Sequence, residues 1–288
     1  MKNLHILEWS LNLRSSQEDE VYPEFSNEIN LISPKPDVLF LVETVKGNTI
    51  SIDDYTVEAE SSREGNGCSI AILNARLDSG DIQIKNVQPM LPGDNTPDFV
   101  QVDVSINNTI YNLISFRIRV ENKQTEEEYQ QRKEQFDNML DYVKNLPQPI
   151  ITGDFNNARI LGDRNIDYHE IQKQYKEKEQ VKGGYYYQKI KYDLLHTANL
   201  IMHTPLYGNS FGLNFNDFKK EYISKNHGYL KYEHLVTPKD MNVKNISYNW
   251  DFLNTAVAKG DIHKYALDSD GIMKGFPDHA MLLADIEL

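Results

Sequence analysis

Pro149-Ile150-Ile151-Thr152 is a short apolar run that reads as a buried strand, and it ends on Gly153-Asp154-Phe155-Asn156. An acid and an amide two positions apart at the mouth of a strand can both face one ligand. The same form recurs. Leu39-Phe40-Leu41-Val42 closes on Glu43-Thr44, Asn249-Trp250 leads into Asp251-Phe252-Leu253, and Pro277-Asp278-His279 precedes the apolar run from Ala280 to Leu288. Together these motifs form one constellation of polar groups at strand ends.

The remaining segments agree. Strands are expected over Leu4–Leu11, Asp37–Val42, Ser51–Glu58, Gly67–Leu73, Asp81–Val87, Phe99–Ile106 and Ile110–Val120, and again over Ile246–Leu253 and Ala280–Leu288. The nearly all-apolar Asp37–Val42 suits a strand buried on both faces. Glu18–Ile32 reads as an amphipathic helix, broken early by Pro23 and stopped by Ser33-Pro34. Thr125 and Glu128 form a capping box that opens the clearest helix, with Tyr129, Phe136, Leu140 and Val143 near one face. Tyr187–Asn199 is a third helix. Two polar stretches, near 158–191 and 209–235, show no clean period and read as insertions beside the site. With no repeat and no linker, residues 1–288 are read as one α/β or α+β domain.

Composition narrows the function classes. The chain has 288 residues and a net charge of −13, which argues against a broad electrostatic grip on nucleic acid. It does not exclude a nuclease, because a divalent cation would supply local positive charge. No apolar stretch approaches the roughly 18 residues that span a bilayer, and Glu8 interrupts any signal-peptide core at the N-terminus. A cytoplasmic location is therefore expected, as a monomer without a membrane partner. Cys68 is the single cysteine, so no internal disulfide forms, and a buried inert thiol is expected.

Four acids (Glu43, Asp154, Asp251, Asp278), two amides (Asn12, Asn156) and His279 suit metal-assisted attack on a phosphate ester. Each residue also has a plainer reading. Glu43 is a solvated strand end, Asn12 a turn residue, Asp154-Phe155-Asn156 an Asx-type turn, and Asp278-His279 a turn. A histidine that acts as a base needs a partner, and Asp251 on a neighbouring strand is the expected one. The other histidines show no zinc spacing, and no Walker loop or Gly-x-Ser-x-Gly elbow is present.

In this order, Asn12, Glu43, Gly67-Cys68-Ser69-Ile70-Ala71-Ile72, Gly153-Asp154-Phe155-Asn156, Trp250-Asp251-Phe252-Leu253 and Asp278-His279 resemble the endonuclease/exonuclease/phosphatase superfamily, the deoxyribonuclease I-like fold. The resemblance runs over nearly the whole chain. It implies a four-layered α/β/β/α sandwich of two packed mixed sheets and cleavage of phosphate esters with Mg²⁺ or Mn²⁺. It implies that Glu43 binds metal with Asn12 and Asp278 nearby, that Asp154 and Asn156 orient water and phosphate, and that Asp251 supports His279.

One position departs from the family. Where many members carry a histidine near the end of a central strand, this chain has Leu113-Ile114-Ser115-Phe116-Arg117-Ile118-Arg119. Arg117, with Arg119 expected to point the same way, would clamp phosphate oxygens; the plain alternative is a salt bridge on a sheet face. A DNA or RNA endo- or exonuclease is the leading expectation, with Tyr186 in Tyr185-Tyr186-Tyr187 stacking bases. A phosphatase or phosphodiesterase acting on a small molecule or lipid head group is the second. A non-catalytic module on the same fold is the third.

Overall fold

The computed structural model describes residues 2–12, 25–45, 51–61, 66–120, 125–156, 187–211, 231–253 and 277–288. The first part of the expected 18–32 helix, most of both polar insertions and Tyr186 lie outside these residues. Among the described residues the strands are β1 (Asn3–Ser10), β2 (Val38–Val45), β3 (Tyr55–Glu60), β4 (Asn66–Leu73), β5 (Gln83–Gln88), β6 (Asp98–Ile106), β7 (Thr109–Arg117), β8 (Pro149–Asp154), β9 (Leu200–His203), β10 (Glu233–Pro238), β11 (Asn242–Asn249) and β12 (Met281–Glu287). The helices are α1 (Phe25–Leu31), α2 (Asn74–Asp78), α3 (Glu126–Val143) and α4 (Tyr187–Ala198).

These strands form two six-stranded sheets, in the order β11-β12-β1-β2-β4-β3 and β5-β6-β7-β8-β10-β9. All pairs are antiparallel except β1 with β2 and β7 with β8. A parallel pair needs a crossover, and α1 and α3 are the helices that provide one in each sheet. Thr125 caps α3 as its sequence indicates, accepting from the Glu128 N–H at 3.3 Å.

Alternation along the strands sorts residues between two faces. Leu4 and Ile6 of β1, Phe40 and Val42 of β2, Val100, Val102 and Val104 of β6, Ile150 of β8 and Leu282 of β12 fill the space between the sheets. Phe136, Met139, Leu140 and Val143 of α3, with Ile190 and Leu194 of α4, pack on Ile114, Phe116, Ile151 and Val236 at the back of the second sheet. Phe25 and Ile29 of α1 cover the back of the first, against Leu7, Trp9, Leu39 and Leu41. Helices outside two facing sheets make the α/β/β/α sandwich. Full burial of each large apolar side chain contributes roughly 1.5–3 kcal/mol.

Several elements differ from the expectation, among them the short helix α2. The strand expected over 246–253 is β11 followed by a helical turn at 251–253. β9 was not among the expected strands, and β10 begins inside the stretch read as an insertion, because it opens on the polar Glu233-His234. Cys68 is fully buried in β4, where burial first and the Asp98 charge second push its thiol pKa up, as an inert core residue requires.

Candidate active site

The C-terminal ends of β1, β2, β7 and β8 reach one edge of the sandwich. The start of β10 and the residues before β12 meet them there, since those strands run the other way. Across the second sheet, Asp98 pairs with Arg117, Arg117 with Asp154, and Asp154 with Glu233. Register partners on adjacent strands present side chains to the same face. Four charged residues therefore stand in one row, and all four are largely buried.

Local backbone geometry aims the groups. The β2–β4 ladder shifts register between Val42 and Thr44, leaving Glu43 as a bulged residue with φ +54°. Left-handed backbone at a non-glycine residue costs on the order of 1–2 kcal/mol, and bulges re-aim side chains beside functional sites. Asn12 (φ 53°) and Asn156 (φ 49°) adopt the same region, which asparagine tolerates. Gly153 has φ +146°, and a Cβ there would lie 1.8 Å from the Phe116 carbonyl oxygen. Only glycine lets β8 approach β7 this closely and hold Asp154 beside Arg117.

Asp154 is tied down by Asn156, whose backbone N–H and side-chain amide donate to its two carboxylate oxygens, each at 2.8 Å. The same Asn156 amide donates to the Ile118 carbonyl at 2.7 Å. Asn156 thus positions Asp154. Burial, and then the charge of Glu233, raise the Asp154 pKa to about 7, against the opposing pull of His279 and Arg117.

His279 is anchored from both sides. Its carbonyl accepts from the Trp9 indole at 3.0 Å, and its ring contacts Phe211 at a centroid distance of 4.8 Å. Its Nδ1 forms a short contact with a Glu233 carboxylate oxygen, and its Nε2 lies 3.7 Å from Asp278. Burial pulls the imidazole pKa down. Glu233, Asp278 and Asp154 outweigh it, so His279 titrates well above its ordinary value.

This arrangement corrects the expected dyad: the carboxylate that holds His279 is Glu233. Asp251 is exposed on the helical turn, where its N–H bonds the Asn249 side chain at 2.7 Å. Trp250, Phe252 and Leu253 face the core in this turn, which sends Asp251 outward. Arg119 is corrected as well. It lies past the end of β7, and its guanidinium donates to the Thr96 carbonyl at 2.7 and 3.1 Å rather than pointing with Arg117.

Arg117 is held by three carboxylates. Its Nη2 lies 2.7 Å from Glu43 Oε1, its Nη1 3.6 Å from Asp98 and its Nε 3.8 Å from Asp154. Burial lowers the guanidinium pKa, but these three acids raise it further than burial lowers it. The other Glu43 oxygen accepts from Ser10 Oγ at 3.1 Å. Asn12 is fully buried just past β1, and Asp278 is buried beside His279. Tyr187, next to Tyr186, is a core residue whose hydroxyl meets Thr204 at 3.1 Å.

Sequence reasoning missed Glu233, Asp98 and Glu8. Glu8 is fully buried in β1, and neither of its carboxylate oxygens has a hydrogen-bond partner among the described residues. Burial, then Glu233 and Asp154, raise its pKa well above the usual range, against His279. Asp98 and Glu233 sit at strand starts rather than strand ends. In antiparallel strands the start is what reaches this edge, and an acid opening an apolar run was the available signal. Asp154, Glu233 and His279 each offer a ligand atom within 4.8 Å of the others, a buried Asp-Glu-His group with donors suited to a cation.

No protein-family model and no curated protein matches the chain. Solved structures do. A humanized D. rerio TDP2 superposes with a TM-score of 0.58 at 13% identity, over 99% of both chains. An endonuclease/exonuclease/phosphatase protein from Beutenbergia cavernae gives 0.57 at 13% identity, covering all of this chain (100%) and 72% of its own. A Cimex nitrophorin in its ferrous NO complex gives 0.55 at 14% identity, over 100% of both. The chain therefore shares the fold of these structures, the deoxyribonuclease I-like sandwich. The nitrophorin shows that this fold also serves other chemistry, so activity has to be argued from the site.

Proposed function

We propose that this protein is a phosphoric ester hydrolase acting on phosphodiester bonds, most simply those of nucleic acid. The observation that carries the reading is the row Arg117–Asp154–Glu233 facing His279, with carboxylate and imidazole atoms within 4.8 Å.

The two titrating groups are pushed toward opposite tasks. Asp154, with a pKa of about 7, is half ionised near neutrality and takes the proton of an attacking water. His279 stays protonated beside Glu233 and gives its proton to the departing oxygen. The P–O bond to water forms as the P–O bond to the leaving group breaks. The proton gained by Asp154 then replaces the one lost by His279. Arg117 supplies a fixed positive charge against the phosphoryl oxygens.

Family resemblance would place Mg²⁺ or Mn²⁺ on Glu43, with Asn12 and Asp278 nearby. As they stand, the residues at Glu43 do not fit a cation, since the Arg117 guanidinium lies 2.7 Å from its carboxylate and its positive charge opposes an ion there.

Among the neighbours, a D. rerio TDP2 structure is a complex with a single-strand DNA product, which supports a single-stranded substrate here. The net charge of −13 favours a second reading, hydrolysis of a small phosphate ester, because an acidic chain disfavours a polyanion. Supercoiled plasmid, a single-stranded oligonucleotide and bis-p-nitrophenyl phosphate, each with wild type and Asp154→Asn, separate the two. Cleavage of the nucleic acids, lost in the variant, supports the nuclease. Cleavage of the small ester alone supports the second reading. No turnover of any ester leaves a binding module.

A further inference from the structure

We infer that the Arg117 guanidinium takes the place of a divalent cation at Glu43, so that this half of the site works with a built-in positive charge. The inference deepens the hydrolase reading and rests on the same edge of the sandwich.

Three observations carry it. First, both Glu43 oxygens are occupied, by Arg117 at 2.7 Å and by Ser10 at 3.1 Å. A hydrogen bond alone does not stop a carboxylate from binding a cation, but a guanidinium 2.7 Å from Glu43 puts a unit positive charge where the ion would sit. Second, Arg117 does for its surroundings what a cation would do. Asp98, Asp154 and Glu43 converge on it, and its side chain is only 12% exposed. Buried carboxylates this close to one another repel strongly without a positive charge among them. Third, the backbone is committed to the arrangement. The bulge in β2 and the φ of +54° at Glu43 turn that carboxylate toward the second sheet, and Arg117 is the last residue of β7, in register between Asp98 and Asp154.

A guanidinium cannot be deprotonated or chelated away, and it spreads its donors in a plane that reaches several carboxylates at once. It also repels a divalent ion from the space it fills. Glu43 is then a positioning residue for Arg117 rather than a metal ligand.

Mn²⁺ binding, followed by electron paramagnetic resonance and by calorimetry, tests this without reference to turnover. A failure of the hydrolase reading and a failure of this inference are therefore distinguishable. In the wild-type protein, Glu43→Gln is expected to leave Mn²⁺ binding unchanged within about twofold. Arg117→Met, which frees Glu43, Asp98 and Asp154 of their counter-ion, is expected to tighten Mn²⁺ binding by about 100-fold, because a unit charge a few ångströms away no longer opposes the ion. Should Arg117→Met fail to fold, the wild-type and Glu43→Gln titrations decide alone. Stoichiometric Mn²⁺ binding by wild type that Glu43→Gln abolishes would overturn the inference, as would Arg117→Met binding no tighter than wild type.

Discussion

Replacing Glu8 by methionine should make the protein more stable, and more so as pH rises. Glu8 is fully buried between the sheets and neither oxygen has a hydrogen-bond partner among the described residues. Leaving a buried polar group unsatisfied costs about 1–3 kcal/mol, and more if it is charged. Methionine matches the length of glutamate without its polar atoms, and such volume-conserving changes usually cost under about 1.5 kcal/mol. The gain exceeds this cost most clearly at high pH, where the raised pKa adds a charge-burial cost to the polar one.

The pH dependence follows from the direction of the shift. The folded state raises the Glu8 pKa above that of the unfolded chain, so folding favours the neutral acid. Stability from this group is present below the unfolded value, about 4.3, and falls by about 1.4 kcal/mol per pH unit until the raised folded value is reached. Thermal melts of wild type, Glu8→Met and Glu8→Gln at pH 5 and pH 8 test both parts. In a chain this size about 1 kcal/mol moves the midpoint by about 2 °C. Glu8→Met should melt up to about 6 °C above wild type at pH 5, with a wider gap at pH 8. Glu8→Gln should show the same widening from a smaller offset, because it loses the titration but keeps the buried polar atoms. A methionine variant less stable than wild type at pH 8, or a gap that does not change with pH, would refute the reasoning.

Glu233→Gln is expected to lower the hydrolytic rate by about 10²–10⁴, whereas Asp251→Ala should leave it unchanged; steady-state kinetics of the two variants distinguish them. The hydrolytic rate should rise with pH through about 7, as Asp154 ionises, and a pH–rate profile that is flat from 6 to 8 would contradict its role as base. The same group has a folded pKa above its ordinary value of 3.8, so the stability it contributes at pH 4 is lost as pH climbs toward 7, which Asp154→Asn should flatten in thermal melts. Gly153→Ala is expected to destabilise the protein by on the order of 3 kcal/mol or more, because its Cβ would meet the Phe116 carbonyl at 1.8 Å; urea denaturation measures it.

Much of this architecture was legible from residue order. Short apolar runs with period-two burial became strands, the Thr125–Glu128 capping box became the start of a helix, and Gly153-Asp154-Phe155-Asn156 marked the end of β8 at the site. Those signals are local, set by burial pattern, capping and backbone freedom within a few residues. Pairing is a different matter. Asp251 follows a tryptophan in a motif that matched the expected partner, yet a single helical turn faces it to solvent. Glu233 opens a strand with a polar start, and only its register against Asp154 brings it to His279.

The sequence by itself determined most of the segments that become strands, which backbone positions need glycine or asparagine, and that Glu43, Asp154 and Asn156 would stand at or just past strand ends. The tertiary structure alone decided who meets whom. Partner identity depends on strand direction and on a register in which one residue's slip turns a side chain to the other face. That is why Glu233 holds His279 and Arg117 fills the space before Glu43, across separations of 46 and 74 residues.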